Sequence, residues 1–428
     1  MILVFSDTDS PRLQYTCSFI FKELIGEEFS ITGNEDEFKS FDGIKINYSA
    51  DKITDTEFSI PNCGLLFEND IHSQNIHCFE YNGYKAFFKG AGEDFPFDIF
   101  SATFYLLSRY EEYLPHTKDM YGRYAHENSL AFKEGFLQFP LINIWVNDFA
   151  KSLKLKFPII NFQFSIFNFI PTYDIDIAYS FKQKGLLRNL GGFLKSPSFE
   201  RIKVLAGLQQ DPFDSYEWLN ALHQQYKLQP IYFFLLAQKN GLYDKNILPH
   251  KHALQLLIKK HADKYPTGIH PSWQSGDNFL LMKQEKKLLQ EIIDKPVTQS
   301  RQHYIRFSLP HGYRRLMEAG ITDDYSMGYG SINGFRASVA TSFYWYDLES
   351  EKQTSLRIHP ICFMEANSFY EQHFTPQQAY DELMHYYKLC KEVNGTLITI
   401  WHNNFFGTDK QFSGWKEVYE QFIAQVQQ

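Results

Sequence analysis

The sequence predicts an α/β protein in two parts: a smaller α/β domain over residues 1–157, then a closed or nearly closed β/α barrel over 158–428. Three observations carry this expectation. Strands alternate with helices over roughly 260 residues after position 158, the pattern of a parallel sheet. The chain opens strand–helix–strand, so the first part has the same class. Its 428 residues suit two domains of ordinary size.

The first part reads as follows. Residues 2–5 form a short apolar strand. Ser10-Pro11 starts a helix by the cap-then-proline rule, and Gly26 ends it. Residues 29–32 and 44–48 are strands. Asn82-Gly83 sits between two strand-like runs, a strong two-residue hairpin signal. Residues 97–113 read as a buried helix that runs into R-Y-E-E-Y-L-P and closes at Pro115. A helix around Trp145 leads to a lysine-rich stretch, 151–156, and Pro158, the expected boundary.

The second part opens on its most informative stretch. Residues 164–176, with Gln163 before them, are apolar, aromatic and β-branched until they stop at Asp174 and Asp176. This is the profile of a buried strand whose end emerges at a site. Strand side chains alternate, so the two carboxylates share a face about 6.6 Å apart along the chain. At that distance they repel by roughly 3 kcal/mol at an effective dielectric of ~20, unless solvent, a cation or a proton intervenes. After a basic helical stretch over 179–194, helix–strand pairs follow. Strands are expected at 230–236, 267–270, 297–307 and 396–401, with helices at 214–226, 250–261, 280–293, 376–394 and 415–425.

Composition limits the function. Hydrophobic residues are 44% of the chain and 41 are Phe, enough for large cores and too many for long disorder. Lys and Arg number 42 against 50 Asp and Glu, a net charge of −8, which argues against nucleic acid or an anionic membrane as the main partner. The five Cys are scattered and include no C-x-x-C, so a reducing, cytoplasmic compartment is expected. The N-terminus reads as a first strand and not as a signal peptide, and no apolar run reaches the length of a membrane span.

In a β/α barrel, chemistry gathers where strands give way to loops. Those ends offer Asp174 and Asp176, then His270 and Ser272 in G-I-H-P-S-W, then Arg301, His303 and Arg306 in S-R-Q-H-Y-I-R-F-S-L-P. They continue with Asp323, Asp324 and Ser326, Arg336 in G-F-R-A-S, and His402 in T-I-W-H-N-N. Each taken alone reads as an ordinary turn, packing or hydrogen-bonding residue. Their coincidence at one rim is what points to a site.

Residues 166–428 resemble the polysaccharide deacetylase superfamily, carbohydrate esterase family 4. Thr172-Tyr173-Asp174-Ile175-Asp176 looks like that family's T-F-D-D-G. His270-Pro271-Ser272-Trp273-Gln274 looks like its H-S-x-x-H, the run from Arg306 to Pro310 like its arginine-to-proline motif, and Ile400-Trp401-His402 like its closing L-x-H. Residues 1–155, notably R-Y-E-E-Y-L-P, look like the uncharacterised N-terminal domain found with such deacetylases in bacteria. The resemblance implies a distorted β/α barrel and a metal-dependent hydrolase that deacetylates an N-acetylated or O-acetylated saccharide. It implies Asp174 as base, His402 as acid and Arg306 as the residue orienting Asp174 or the substrate. Asp176 and His270 would hold a divalent metal, zinc. Arg301, Asp324, Arg336 and Ser272 are the expected substrate contacts. The sequence departs from the family at Ile175 and Gln274, where metal ligands are usual. Asp174, His303 and His359 are the candidates for a third ligand, and a metal-free site is the alternative. A barrel that binds glycans or a polysaccharide-assembly partner without turnover is the alternative.

Overall fold

The structure is a computed structural model that describes the chain apart from residues 93, 159–161, 163, 196 and 428. Gln163 and the three residues just past the expected boundary therefore lie outside the described residues.

The first part is built on a parallel sheet in the order β2-β1-β3-β4, comprising β1 (Ile2–Phe5), β2 (Phe29–Thr32), β3 (Ile44–Asn47) and β4 (Phe58–Ser59). Ser10 caps the helix Pro11–Cys17 by accepting from Leu13 N at 3.0 Å, and the helical path continues through Ser18–Ile25. It ends at Gly26, whose φ of +76° is left-handed. β5 (Phe79–Tyr81) and β6 (Tyr84–Ala86) form the hairpin, with Asn82 and Gly83 both at positive φ as its tight turn requires. The helix Ile99–Leu107 is shorter than its sequence suggests. It breaks at Arg109, φ +56°, and the chain re-forms a short turn over Tyr110–Tyr113.

The second part is a mixed α/β arrangement around one large sheet. Among the described residues nine strands pair in the order β12-β13-β11-β10-β9-β8-β7-β15-β14. They are β7 (Asn168–Ile175), β8 (Ile231–Leu235), β9 (Thr267–His270), β10 (Gln299–Ser300), β11 (Asp323–Asp324), β12 (Phe343–Asp347), β13 (Lys352–Ile358), β14 (Phe363–Met364) and β15 (Thr396–His402). All neighbours are parallel except β12 with β13. No pairing joins β12 to β14 among these residues, so the sheet keeps two edges where a closed or nearly closed barrel was expected. The strand expected over 297–307 is only Gln299–Ser300, and a short helical turn, His303–Ile305, follows it. The β12–β13 hairpin had no sequence expectation.

Register sets the site. β7 lies between β15 and β8, with Asp174 beside His402 on one side and Phe233 on the other. β9 ends at His270, beside Leu235 of β8. Parallel strands in register bring their C-terminal ends to one rim, and with them the residues at those ends.

The two parts share one continuous apolar core. Polar clasps cross between them. Tyr15 Oη donates to Tyr344 O at 2.8 Å, and Arg12 pairs with Glu351 at 2.5 Å. Glu112 of the R-Y-E-E-Y-L-P stretch takes two bonds from Arg336, at 2.8 and 2.6 Å, and one from Arg109 at 2.8 Å. Arg336, expected at the substrate, is thus buried in a fork on Glu112. Its guanidinium also covers the Phe307 and Tyr329 rings. A buried guanidinium needs such a partner.

Burial pushes the Glu112 carboxyl up, but Arg336 and Arg109 outweigh burial and hold it at about 2. A depressed carboxyl contributes stability that is full above its unfolded value and is lost as pH falls through the folded one. Glu112→Gln should therefore lower stability by about 3 kcal/mol near neutrality, where it leaves the buried Arg336 without its carboxylate partner. In denaturant titrations across pH the gap between variant and wild type should narrow from about pH 4.5 down to about 2. A gap that stays constant over that range would remove Glu112 as the charged clasp.

Candidate active site

Three imidazoles converge on Asp176. Its Oδ1 stands 3.1 Å from His270 Nε2, and its Oδ2 stands 3.3 Å from His303 Nε2 and 3.4 Å from His402 Nε2. Each ring is aligned by an acceptor on its far side. His270 Nδ1 donates to Arg301 O at 2.7 Å, His303 Nδ1 to Asp244 Oδ1 at 2.9 Å, and His402 Nδ1 to Glu365 Oε1 at 2.7 Å. A carbonyl or carboxylate oxygen only accepts, so each Nδ1 carries the hydrogen and each neutral ring turns a lone pair toward Asp176. Asp176 Oδ1 is buried and has no hydrogen-bond partner despite the nitrogen beside it. Lone pairs facing a carboxylate call for a cation or for protons between them.

The donor set fits a cation. Asp176, His270 and His303 offer ligand atoms that all lie within 4.8 Å of one another. Donors on a tetrahedral zinc with bonds of ~2.0–2.2 Å would be ~3.4 Å apart, close to the separations from Asp176. Imidazole-carboxylate ligation with acceptors behind the rings is the usual way such ligands are oriented. With protons in place of a cation, burial raises the Asp176 carboxyl, but His303 and His402 outweigh it and hold it well below the usual range. Burial lowers the His303 imidazolium, yet Asp176 and Asp244 raise it to about 9. Burial likewise opposes the His402 imidazolium, and Glu365 and Asp176 push it well above the usual range.

Asp174 stands beside this cluster, nearly fully buried. Arg301 Nη1 donates to its Oδ1 at 2.8 Å and to Thr172 Oγ1 at 2.7 Å. Arg301 Nε donates to Tyr325 O at 3.0 Å, and its guanidinium lies 4.5 Å from the centre of the Phe233 ring. Gly268 makes room for that ring: a Cβ there would fall 2.5 Å from it. The second Asp174 oxygen is 3.8 Å from His270 Nε2 and faces the cluster. Around these groups lies a cavity of about 450 Å³, lined on its floor by Asp174, Asp176, His270, His303 and His402.

Several expected contacts fall elsewhere. Arg306 does not reach Asp174. It donates to Tyr121 O and Trp273 O, both at 3.1 Å, and pairs with Asp277, so the guanidinium on Asp174 is that of Arg301. Asp324 turns inward: burial raises its carboxyl to about 7, and it accepts from Ser326 N and Oγ. Ser272 is buried, with its N donating to Glu285 at 2.9 Å. Ser272, Asp324 and Arg336 do not line the cavity. His359 pairs with Asp323 at 2.8 Å and stacks on Tyr325, apart from the cluster. Gln274 donates to Asp244 Oδ2 at 3.2 Å, so it acts on the carboxylate behind His303. Sequence reasoning missed Asp244 and Glu365. Glu365 directly follows β14, a position that could have flagged it, whereas Asp244 lies in the long loop after β8.

Comparisons with known proteins fit beside this geometry. Residues 2–158 match a family model described as a family of unknown function, DUF7033. No curated protein is significantly similar in sequence. Similar solved structures include a protein from Mycobacterium smegmatis described as a polysaccharide deacetylase. It is 13% identical with a TM-score of 0.41, and the match covers 61% of this chain and 84% of that one. Another, from Pseudomonas aeruginosa and described likewise, is 13% identical with a TM-score of 0.38 over 61% and 84% of the two chains. A polysaccharide deacetylase from Bacillus cereus is 10% identical with a TM-score of 0.31 over 61% and 88%. These are partial likenesses to polysaccharide deacetylases, and the chemistry of the site rests on its own atoms.

Proposed function

We propose that this chain is a metal-dependent hydrolase that removes acetyl groups from an N-acetylated or O-acetylated saccharide, with the amide favoured. The observation that carries the reading is the convergence of His270 and His303 on Asp176, next to an Asp174 held by Arg301. A divalent cation on Asp176, His270 and His303, for which zinc is the best fit, would polarise an acetyl carbonyl and acidify a water. Asp174 keeps one oxygen on Arg301 and offers the other to take the proton of that water. His402, anchored through Nδ1 on Glu365, would act as the imidazolium: it would carry a second proton on Nε2, give it to the leaving amine and be left as the neutral ring. Arg301 fixes Asp174 while His270 is held by the Arg301 carbonyl, so base and ligand share one support.

A binding-only role drew its support from Gln274, which stands where a ligand is usual. With His303 in the trio, three protein ligands are present without it. The five cysteines are all unpaired, which supports a reducing, cytoplasmic setting, and no helix among the described residues is long and apolar enough to cross a membrane.

Equilibrium dialysis against zinc should find one ion per chain. His303→Ala should abolish that stoichiometry, and Asp244→Asn should weaken it by about 10- to 100-fold by releasing the ring. Zinc binding indifferent to His303→Ala would move the metal away from this trio.

Acetate release from chito-oligosaccharides should fall by about a hundred- to ten-thousandfold in Asp174→Asn, with an unchanged circular dichroism spectrum. His402→Ala should slow an acetamide far more than an activated aryl acetate, whose leaving group needs little proton assistance. Equal losses on the two substrates would take the acid role away from His402.

A further inference from the structure

The cavity is not made by the second part alone. A loop from the first part, residues 116–128, reaches over the rim and places Tyr121 and Arg123 in its wall. Asp119 organises the tip of this loop. Its Oδ1 accepts from Tyr121 N and Arg123 N, both at 2.9 Å, and its Oδ2 from Arg123 Nε at 2.5 Å. Two arginines then pin loop and rim to each other. Arg123 Nη1 donates across to Tyr304 O at 2.7 Å, and Arg306 Nε donates back to Tyr121 O at 3.1 Å. Gly330 leaves room for the crossing, since a Cβ there would fall 2.0 Å from Arg123 Nη1.

The pinned loop sets Tyr121 against two rim tyrosines. Its ring centre is 5.2 Å from that of Tyr304 and 5.7 Å from that of Tyr243. Tyr243 in turn lies 5.4 Å from Tyr304 and 4.6 Å from Trp273. All three tyrosines line the cavity and are only partly buried. Tyr370 and Phe405 also line it. Partly exposed aromatic faces beside a polar floor suit a pyranose ring, whose C–H face stacks while its hydroxyls bond at the edge.

We propose that Tyr121, Tyr243 and Tyr304 form a sugar-binding platform beside the reacting centre, so that the N-terminal part completes the saccharide site and the substrate is an oligosaccharide or a polymer. This rests on the saccharide reading above and extends it to a neighbouring sugar unit. Arg306 and Arg123 are positioning residues for the platform.

The test is calorimetric binding on the full chain in an Asp174→Asn background, which prevents turnover. Chitotetraose and N-acetylglucosamine are the probes. The tetraose should bind more tightly than the monosaccharide and quench tryptophan fluorescence through Trp273. Tyr121→Ala should weaken the tetraose about tenfold and the monosaccharide much less, while Tyr121→Trp restores binding. Tyr243→Ala should act in the same direction, so the test survives if one variant misfolds in thermal melting. Equal affinity for the two probes, no binding of the tetraose, or a Tyr121→Ala protein that binds like its parent would overturn the platform. Acetate release by the wild type separates the two readings. Tetraose binding that depends on Tyr121 but comes without acetate release leaves the platform and sinks the hydrolase. Acetate release together with tetraose binding indifferent to Tyr121 does the reverse.

Discussion

A carboxylate whose Oδ1 is buried without a donor, faced by imidazole nitrogens that each turn a lone pair toward it, is the constraint on which the site depends. Asp176 gathers His270, His303 and His402 from three different strand ends. Behind the rings stand Asp244, Glu365 and a backbone carbonyl, and beside them stands Asp174. With neutral rings that is four carboxylates against one guanidinium, Arg301, around the floor of one cavity. Like charges so placed repel one another. Either protons crowd onto the imidazoles or a divalent cation sits among the donors. The ring orientations suit the second outcome for His270 and His303, whose Nδ1 atoms are committed as donors and whose Nε2 atoms are left to face a cation.

The rest of the architecture holds that cluster still. Arginines do much of this work, and each stands where two segments must meet. Arg301 links the end of β10 to β7 through Thr172 and Asp174, and rests on Phe233 of β8. Arg336 and Arg109 join the two parts through Glu112. Arg123 and Arg306 tie the N-terminal loop to the turn that carries His303. That turn takes left-handed backbone at Tyr304 and Ile305, φ +60° and +53°, where non-glycine residues are disfavoured. A strained turn beside such a cluster persists only when its surroundings over-determine it. Arg123, which grips the Tyr304 carbonyl from the other part, is one such constraint. The N-terminal part is thus coupled to the turn that carries His303 through Arg123 and Arg306 rather than appended to it.

Much of this was legible in the sequence, and the rest was not for definite reasons. Period-2 alternation put Asp174 and Asp176 on one face. Cap and breaker residues marked the helices, and Asn82-Gly83 marked the hairpin. The strand-end logic found His270 and His402. It failed over 297–307, because apolar and β-branched residues there suggested a strand that the chain leaves after Ser300. Once it leaves, face alternation no longer tells Arg301 from Arg306, and the choice between them depends on a contact 127 residues away in sequence. Asp324 and Arg336 looked like rim residues because charge at a strand end usually meets solvent. Here each found a buried partner instead. Asp244 and Glu365 act from 59 and 37 residues away on rings that the sequence did not link to them.

Gln274 shows how a departure from a motif should be weighed. Read by position, an amide where an imidazole is usual removes a ligand and points to a lost activity. Read by contact, the amide of Gln274 donates to Asp244, Trp273 N donates to the same carboxylate, and Asp244 takes the Nδ1 hydrogen of His303. The loop after β9 therefore still serves the cluster, one bond further out, and the turn after β10 provides the nitrogen. Burial opposes the ionised form of Asp244, but its bonds to His303 and to the Trp273 backbone outweigh that and hold its carboxyl below the usual range. A charged acceptor there strengthens the imidazole it faces as a donor of electrons to a cation. An imidazole at 274 would have to approach that carboxylate, and it would compete with His303 for Asp244 before it could add a ligand. The candidate donors are best read from contacts around Asp176: His270 and His303 join it in a group of three able to hold an ion, and His402 faces the same carboxylate from Glu365.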